Sequence, residues 1–454
     1  SVHIISGMYP SVEANIGYVN SKDNRGRPVI MCEYSHAMGN SCGNLIDYWK
    51  PSFTMPKHQG GYIWDWVDQG FAKKTKEGKL YFANGGEMND SLSEKWTAFD
   101  GVALPDRTVQ PELFEFKYIV QPFKVSAVDP INGKFKIKNW NEMLNLTSYD
   151  ATWELMENGV AIQSGSVKAD VPAGEEREVL IALKKVVPKP GKEYFVNFYF
   201  KTQEDYSWAK KGFEVAHDQI RLNIDASPKQ ISIDQKDKDF VMEETPDEII
   251  VWGKNFNIRF SKKVGTISSF LFKNTEILKN GPLSYLWRAP TENDDTQISA
   301  NGQSAFNWIR YGLHHIEPIV KSIKHMVLKP GAIEVSVDFD IQTPEVGKLA
   351  ENKITYTIFS SGHVLINNHF TFNDDLPMLE VYGLPRVGFQ MVVPKGFENF
   401  TYYGKGPFEN YADRKEGALI GLYKQTVDEQ YFPYGKPQTT GNKSDVRWSM
   451  LSNE

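Results

Sequence analysis

The sequence has few cysteines, no long hydrophobic run and no excess of basic charge. Cys32 and Cys42 are its two cysteines among 454 residues, so a disulfide framework is excluded, and their spacing fits no metal motif. We expect both thiols to be reduced and buried. The absence of an apolar run of about 18 residues excludes an ordinary membrane-spanning helix. A net charge of −6 argues against nucleic-acid binding, because phosphates need a basic surface.

The first residues, SVHIISGMYP, have neither the basic start nor the long apolar core of a signal peptide. They also lack an initiator methionine and begin in a strand-like run. We therefore expect that residues upstream of Ser1 have been removed, together with any localisation signal. The expected compartment is the cytoplasm, with the periplasm as the alternative.

The first 120 residues alternate strand-like runs with helix-like stretches. Leu45, Trp49 and Phe53 recur every four residues within Asn40–Met55, which predicts a helix with Asn40 or Ser41 as its N-cap. Strand–helix–strand units of this length predict a parallel sheet.

The remaining sequence is typical of β-structure. Residues 121–226 contain about seven short strands with turns at Asn132-Gly133 and Asn158-Gly159, which predicts an immunoglobulin-like sandwich. Residues 227–248 are polar and charged and are interpreted as a linker. Residues 249–454 predict a second, larger sandwich that is incomplete at its C-terminus. The fold class is thus multidomain, α/β followed by all-β.

Chemically informative residues follow three predicted strands. The strand Val29–Glu33 runs directly into a carboxylate, Tyr9 ends the strand before it, and Trp64 lies near the end of the next strand. Side chains at the carboxyl ends of parallel barrel strands face the substrate pocket. From the pattern alone Glu33 is either functional or a buried glutamate paired with Arg or Lys, since both are common. A Tyr at a loop junction and a Trp in the barrel core are the structural alternatives for the other two.

These segments resemble β-galactosidases of glycoside hydrolase family 2. CEYSHAMGN followed by QGGYIWDWVDQ is similar to the family's nucleophile strand and the strand after it, and SGMYPSV resembles the preceding strand. Further on, FDGVALPDRTVQPELFEFK, WRAPTENDD and YYGKGPFENYADR resemble later family motifs in the same order. The resemblance implies the C-terminal part of a (β/α)8 TIM barrel, an immunoglobulin-like sandwich and a galactose-mutarotase-like sandwich.

The resemblance assigns roles residue by residue. Glu33 matches the nucleophile that forms a covalent galactosyl-enzyme, and Tyr9 matches the tyrosine hydrogen-bonded to it. His36 matches a histidine that contacts the sugar and supports the transition state. Trp64 matches the tryptophan beneath the galactose. Asn293 begins a stretch, 293–302, that matches a mobile substrate-binding loop.

The resemblance also implies metal ions and a second carboxylate. The family's sodium site falls on Asp100 and the carbonyl of Thr97, although Asp replaces the family's Asn. The magnesium ligands and the acid/base glutamate of the family lie upstream of this chain. A retaining glycosidase needs both carboxylates, so we expect the chain alone to be inactive and its partner to be the missing N-terminal half of the same enzyme. A homo-oligomer is expected.

The activity implied is hydrolysis of terminal β-D-galactose residues, as in lactose. Two other interpretations stay open. A family 2 hydrolase of another β-glycoside, such as a glucuronide or mannoside, would share the fold, although His36 and the residues after it favour galactosides. A non-catalytic carbohydrate-binding protein would explain the sandwiches. It would not explain why Glu33, Tyr9 and Trp64 lie at three successive strand ends.

Overall fold

A computed structural model describes residues 3–84, 87, 98–224, 226–227, 239–295, 304–329, 331–373 and 383–453. Its α-helices are α1 (Val12–Asn20), α2 (Leu45–Thr54), α3 (Pro111–Ile119), α4 (Glu292–Asp295) and α5 (Ser304–Arg310). Single 3-10 turns lie at Lys22–Asn24, Pro130–Asn132, Leu146–Ser148, Leu313–His315 and Asp428–Gln430. By its internal contacts the chain divides into two compact units, 1–229 with 399–452, and 230–398.

The first unit begins with a three-stranded sheet, in the order β1 (Ile5–Met8), β2 (Val29–Tyr34) and β3 (His58–Ile63). All three strands are parallel, as predicted, with helices in the connections. Met31 and Tyr34 of β2 pack with Leu45 of α2 and Ile119 of α3 in one buried cluster. Burial of this face fixes the strand register, because a shift by one residue would expose it. A two-stranded hairpin, β4 (Phe71–Lys74) and β5 (Leu80–Ala83), follows.

Two local expectations for this region were wrong. Helix α2 begins at Leu45 with Asn44 as its N-cap, since Asn40 and Ser41 are bound elsewhere. Both cysteines are free thiols, but only Cys42 is buried, and burial raises its pKa to about 12. Cys32 is exposed because its side chain alternates away from the cluster that buries its neighbour Met31.

A β-sandwich follows in the same unit. One sheet has the order β10-β7-β6 and the other β12-β11-β8-β9. The strands are β6 (Phe123–Asp129), β7 (Lys134–Asn139), β8 (Tyr149–Glu157), β9 (Val160–Ser166), β10 (Glu176–Leu180), β11 (Tyr194–Thr202) and β12 (Glu214–Leu222). Alternating residues of both sheets fill one core. The predicted turn at Asn158-Gly159 joins β8 to β9, and both of its residues have positive φ, 47° and 80°.

Phe198 tests the packing of this sandwich. Its side chain is fully buried on β11, and its ring meets that of Phe135 edge-on with 4.8 Å between centroids. We expect Phe198→Ala to lower the opening free energy of the sandwich by about 3–5 kcal/mol, because it leaves a cavity. Hydrogen exchange of the β11 amides measures the change. Leu180→Ala, at a residue 72% exposed, is the control and should change it by less than about 0.5 kcal/mol.

The last strands of the chain belong to the first unit. They are β24 (Asn399–Gly406), β25 (Leu419–Thr426) and β26 (Trp448–Ser452), in the order β25-β24-β26. Tyr403 and Ile420 pack against Phe195 of the sandwich. Gly159 is required at this contact, because a Cβ there would lie 2.3 Å from the backbone nitrogen of Leu422. The sequence groups these strands with the second sandwich, whereas their contacts group them with the first unit.

The second unit is also built of facing antiparallel sheets. Its sheets have the orders β13-β14-β15-β16-β17, β19-β20-β21-β22 and β18-β23. The strands are β13 (Val241–Glu244), β14 (Glu248–Gly253), β15 (Phe256–Ser261), β16 (Thr266–Phe272), β17 (Thr275–Leu278), β18 (Asn280–Tyr285), β19 (Glu317–Lys329), β20 (Ala332–Thr343), β21 (Gly347–Phe359), β22 (Val364–Phe372) and β23 (Gly388–Val392). One large apolar core joins them. Strand β13 lies inside the stretch that composition assigns to a linker.

Within the described ranges, none of the helices has both the length and the apolar character needed to cross a membrane.

Candidate active site

Three strands end at one edge of the parallel sheet and bring the predicted residues together. Met8 pairs with Glu33, and Tyr34 pairs with Ile63. The backbone N–H of Tyr9 donates to the carbonyl of Glu33 at 2.8 Å. The N–H of Trp64 donates to the carbonyl of Tyr34 at 3.1 Å. Parallel pairing therefore places the side chains that follow these strands around a single edge.

Tyr9 and Glu33 interact directly through their side chains. The Tyr9 hydroxyl lies beside the Glu33 carboxylate. Burial raises the pKa of Tyr9 well above its ordinary value, and the neighbouring Glu33 carboxylate raises it further. Tyr9 is therefore neutral and able to donate a hydrogen bond, and Glu33 is half-buried. Tyr9 has a φ of 49°, a left-handed conformation that non-glycine residues seldom adopt.

His36, Trp64 and Asp100 form the other side of the site. The indole Nε1 of Trp64 donates to Oδ2 of Asp100 at 2.9 Å, and Nε2 of His36 lies 3.6 Å from the same oxygen. The ring centroids of His36 and Tyr9 are 5.9 Å apart. Burial raises the pKa of Asp100, while the Trp64 indole and His36 partly oppose that rise. Asp100 thus fixes the tryptophan and lies beside the histidine. The five predicted residues of the first unit that the structure describes therefore form one group: Tyr9, Glu33, His36, Trp64 and Asp100.

Asp100 also has an oxygen that could bind a cation. Its Oδ1 is buried and has no hydrogen-bond partner among the described residues. A buried carboxylate oxygen without a partner is costly, and a cation would offset that cost. Thr97, the other predicted sodium ligand, lies outside the described residues. In the part of the chain that the structure describes, no group of three or more His, Cys, Asp or Glu residues could hold a metal.

Asn293 is placed in the second unit. It lies on the short helix α4, and its side chain is exposed. Asp294 on the same helix forms an ion pair with Arg288, with 2.5 Å between Nη1 and Oδ2. Most of the predicted mobile loop, residues 296–302, lies outside the described residues.

A buried polar group that sequence reasoning missed adjoins the loop after Glu33. Its centre is Arg414, which is 2% exposed and donates to the Ser41 carbonyl at 2.6 Å and to Oδ1 of Asn40 at 2.9 Å. The carboxylates of Glu112 and Glu409 flank the guanidinium. The motif YYGKGPFENYADR was the available signal, but nothing in the sequence places it next to Asn40.

Models of known protein families match three parts of the chain. The family model described as "Glycosyl hydrolases family 2, TIM barrel domain" matches residues 1–125, "Beta-galactosidase, domain 4" matches 135–223, and "Beta galactosidase small chain" matches 252–454. The chain therefore belongs to glycoside hydrolase family 2. Its parallel sheet and helices are part of a TIM-barrel domain, and β-sandwich domains follow.

Within the family the chain is similar to β-galactosidases. The β-galactosidase of Priestia megaterium is 33% identical over 95% of this chain and 40% of its own length. The enzyme of Psychromonas ingrahamii is 30% identical over 99% of this chain and 45% of its own length. The one from Pseudoalteromonas haloplanktis is 29% identical over 94% of this chain and 42% of its own length. The chain thus spans less than half the length of these relatives.

Proposed function

We propose that the protein containing this chain is a retaining β-galactosidase, and that Glu33 is its nucleophile. One observation carries the proposal: a neutral tyrosine lies beside a carboxylate at the carboxyl ends of parallel barrel strands. In TIM-barrel enzymes that end of the strands holds the active site. The names of the relatives support galactose as the sugar.

Glu33 would react in two steps. Its carboxylate oxygen attacks the anomeric carbon, a C–O bond to Glu33 forms, and the glycosidic C–O bond breaks as the departing alcohol takes a proton. The acid/base carboxylate then takes a proton from water, which attacks the same carbon; the C–O bond to Glu33 breaks, and galactose leaves with its configuration retained. Tyr9 would donate a hydrogen bond to one Glu33 oxygen and leave the other for attack. Because the pKa of Tyr9 is raised, it remains a donor throughout the neutral pH range.

The remaining side chains would hold the sugar. Trp64 would lie beneath the apolar face of the galactose ring, fixed in orientation by its hydrogen bond to Asp100. His36 would contact a sugar hydroxyl as charge develops on the ring.

The proton donor and the metal ions complete the proposal. The acid/base carboxylate would come from outside this chain and lie about 5–5.5 Å from Glu33, the separation of a retaining enzyme. Magnesium ligands would also lie outside it. Asp100, with its unpartnered Oδ1, and the Thr97 carbonyl would hold a sodium ion. That ion would supply positive charge beside the sugar hydroxyls.

The proposal is tested on the intact protein. Equal concentrations of aryl β-galactoside, β-glucuronide and β-mannoside should be hydrolysed with the galactoside fastest, and NMR should detect β-galactose as the first product. A first product with the α configuration would exclude a covalent Glu33 intermediate. Faster hydrolysis of the glucuronide or mannoside would show that the enzyme prefers that sugar to galactose, and its assignment to the family would stand.

A further inference from the structure

The loop between β2 and α2 does not hold its conformation by local preference. Ser35, Gly39, Cys42 and Asn44 all have positive φ, between 52° and 59°. Three of the four are not glycine, and such residues seldom adopt this conformation. Backbone of this kind persists only where the surrounding structure fixes it. The loop, residues 35–44, carries His36 and directly follows the nucleophile strand.

The side chain that holds this loop comes from near the C-terminal end of the sequence. The guanidinium of Arg414 binds two acceptors of the loop at once, the Ser41 carbonyl and Oδ1 of Asn40. The carboxylates of Glu112 and Glu409 take its other hydrogen bonds. A buried guanidinium between two carboxylates is held in one orientation, because each of its hydrogen bonds has a fixed direction.

Residues near Arg414 bind the same loop. The Asn40 amide donates to the Tyr411 hydroxyl at 2.7 Å and to the Thr439 carbonyl at 2.9 Å. The backbone N–H of Asn40 donates to Oε1 of Gln438 at 3.0 Å. The backbone N–H of Asn44 donates to the Asp413 carbonyl at 2.7 Å.

Gly43 lies against the side chain of Asp413 at this contact. A Cβ on Gly43 would lie 2.0 Å from Oδ2 of Asp413. The loop is thus held by many polar contacts on one face. On its other side, the N–H of Ala37 donates to the Trp64 carbonyl at 2.6 Å, within the active site.

We propose that Arg414 is a positioning residue for the reaction, acting through the loop on His36. By holding Asn40 and Ser41 it fixes the backbone between Glu33 and α2, and therefore the place of the His36 ring beside Asp100. Arg414 itself does not touch substrate. The inference rests on the proposed function, since it assigns a purpose to the loop of that site.

The test is Arg414→Lys in the intact enzyme. Lysine keeps the charge between the carboxylates, but one ammonium group cannot reproduce the fork that binds Asn40 and Ser41 together. We expect kcat to fall by about 10–100-fold with KM changed by less than about threefold, since small misplacements of catalytic groups act mainly on the transition state. Arg447→Lys is the matched control. Arg447 also belongs to the C-terminal segment 399–452, but it pairs with Glu193 of the sandwich, with 2.7 Å between Nε and Oε2. Its kcat should match wild type.

A double-mutant cycle separates positioning from general stability. His36→Ala removes the group on which Arg414 is proposed to act, so adding Arg414→Lys to it should lower kcat by less than about twofold more. Equal losses in the presence and absence of His36 would reduce Arg414 to a structural role. Wild-type kcat in Arg414→Lys would overturn the inference as well.

Two further variants keep the inference testable if Arg414→Lys does not fold. Asn40→Ala removes the side-chain acceptor of Arg414 but leaves the ion pairs of Arg414 with its two glutamates in place. This variant should give the same kcat loss and the same dependence on His36. Tyr411→Phe removes one hydrogen bond to Asn40 and should give a smaller loss. Failure of the proposed function is detected separately. An active Glu33→Gln enzyme would refute that function, whereas an inactive one with normal Arg414→Lys and Asn40→Ala enzymes would refute only the positioning role.

Discussion

Glu33→Gln in the intact enzyme is expected to lower kcat for β-galactosides on the order of 10⁶-fold, the loss typical when a covalent nucleophile is removed. An amide is too weak a nucleophile to form the glycosyl ester. The substitution is nearly isosteric and can still accept the hydrogen bond from Tyr9, so folding should be unaffected. Steady-state hydrolysis of an aryl galactoside measures the loss.

Mass spectrometry after reaction with a 2-fluoro-galactoside gives the complementary result. Wild-type enzyme should carry the sugar on Glu33, because fluorine slows both steps and a good leaving group on the reagent speeds only the formation of the ester. Glu13→Gln, at an exposed acid on α1, is the control and should retain both turnover and labelling. A label on any other carboxylate would rule out Glu33 as the nucleophile.

Tyr9→Phe is expected to lower kcat by about 10²–10³-fold, the range found when one preorganised hydrogen-bond donor is removed from a reacting group. In the proposed mechanism the hydroxyl orients the Glu33 carboxylate, so its loss would leave that carboxylate free to rotate. Wild-type activity should show no alkaline limb from Tyr9 below about pH 10, because burial and Glu33 raise the tyrosine pKa above its ordinary value.

Tyr18→Phe provides the matched comparison, since Tyr18 is similarly exposed, 39% against 41% for Tyr9, and lies on the neighbouring helix α1. Its kcat should equal that of wild type. If Tyr9→Phe kept full activity and labelled at the normal rate, the hydrogen bond to Glu33 would have no part in catalysis.

The features that sequence could predict are local. Glu33 is the last residue but one of strand β2, and parallel neighbours bring Tyr9 and Trp64 to the same edge, so alternation and strand order predicted that these residues lie together. The hairpin at Asn158-Gly159 was readable for a similar reason, because a two-residue turn with positive φ favours this pair.

The features that sequence could not predict depend on distant contacts. Asn40 and Ser41 have the chemistry of N-caps, but Arg414 binds them and the helix begins after Asn44 instead. Likewise, strands β24–β26 have patterns that fit any sandwich. Their contacts, among them the packing of Tyr403 and Ile420 against Phe195, assign them to the first unit.

The separation of Arg414 from Asn40, 374 positions along the chain, has a consequence for the order of synthesis. A ribosome adds about 5–20 residues per second, so the loop leaves the ribosome about 20–75 s before its anchor is made. Throughout that interval the nucleophile strand exists without the contacts that order the residues after it. Nascent chains that stop short of Arg414 would carry every side chain of the candidate site and still lack its final geometry.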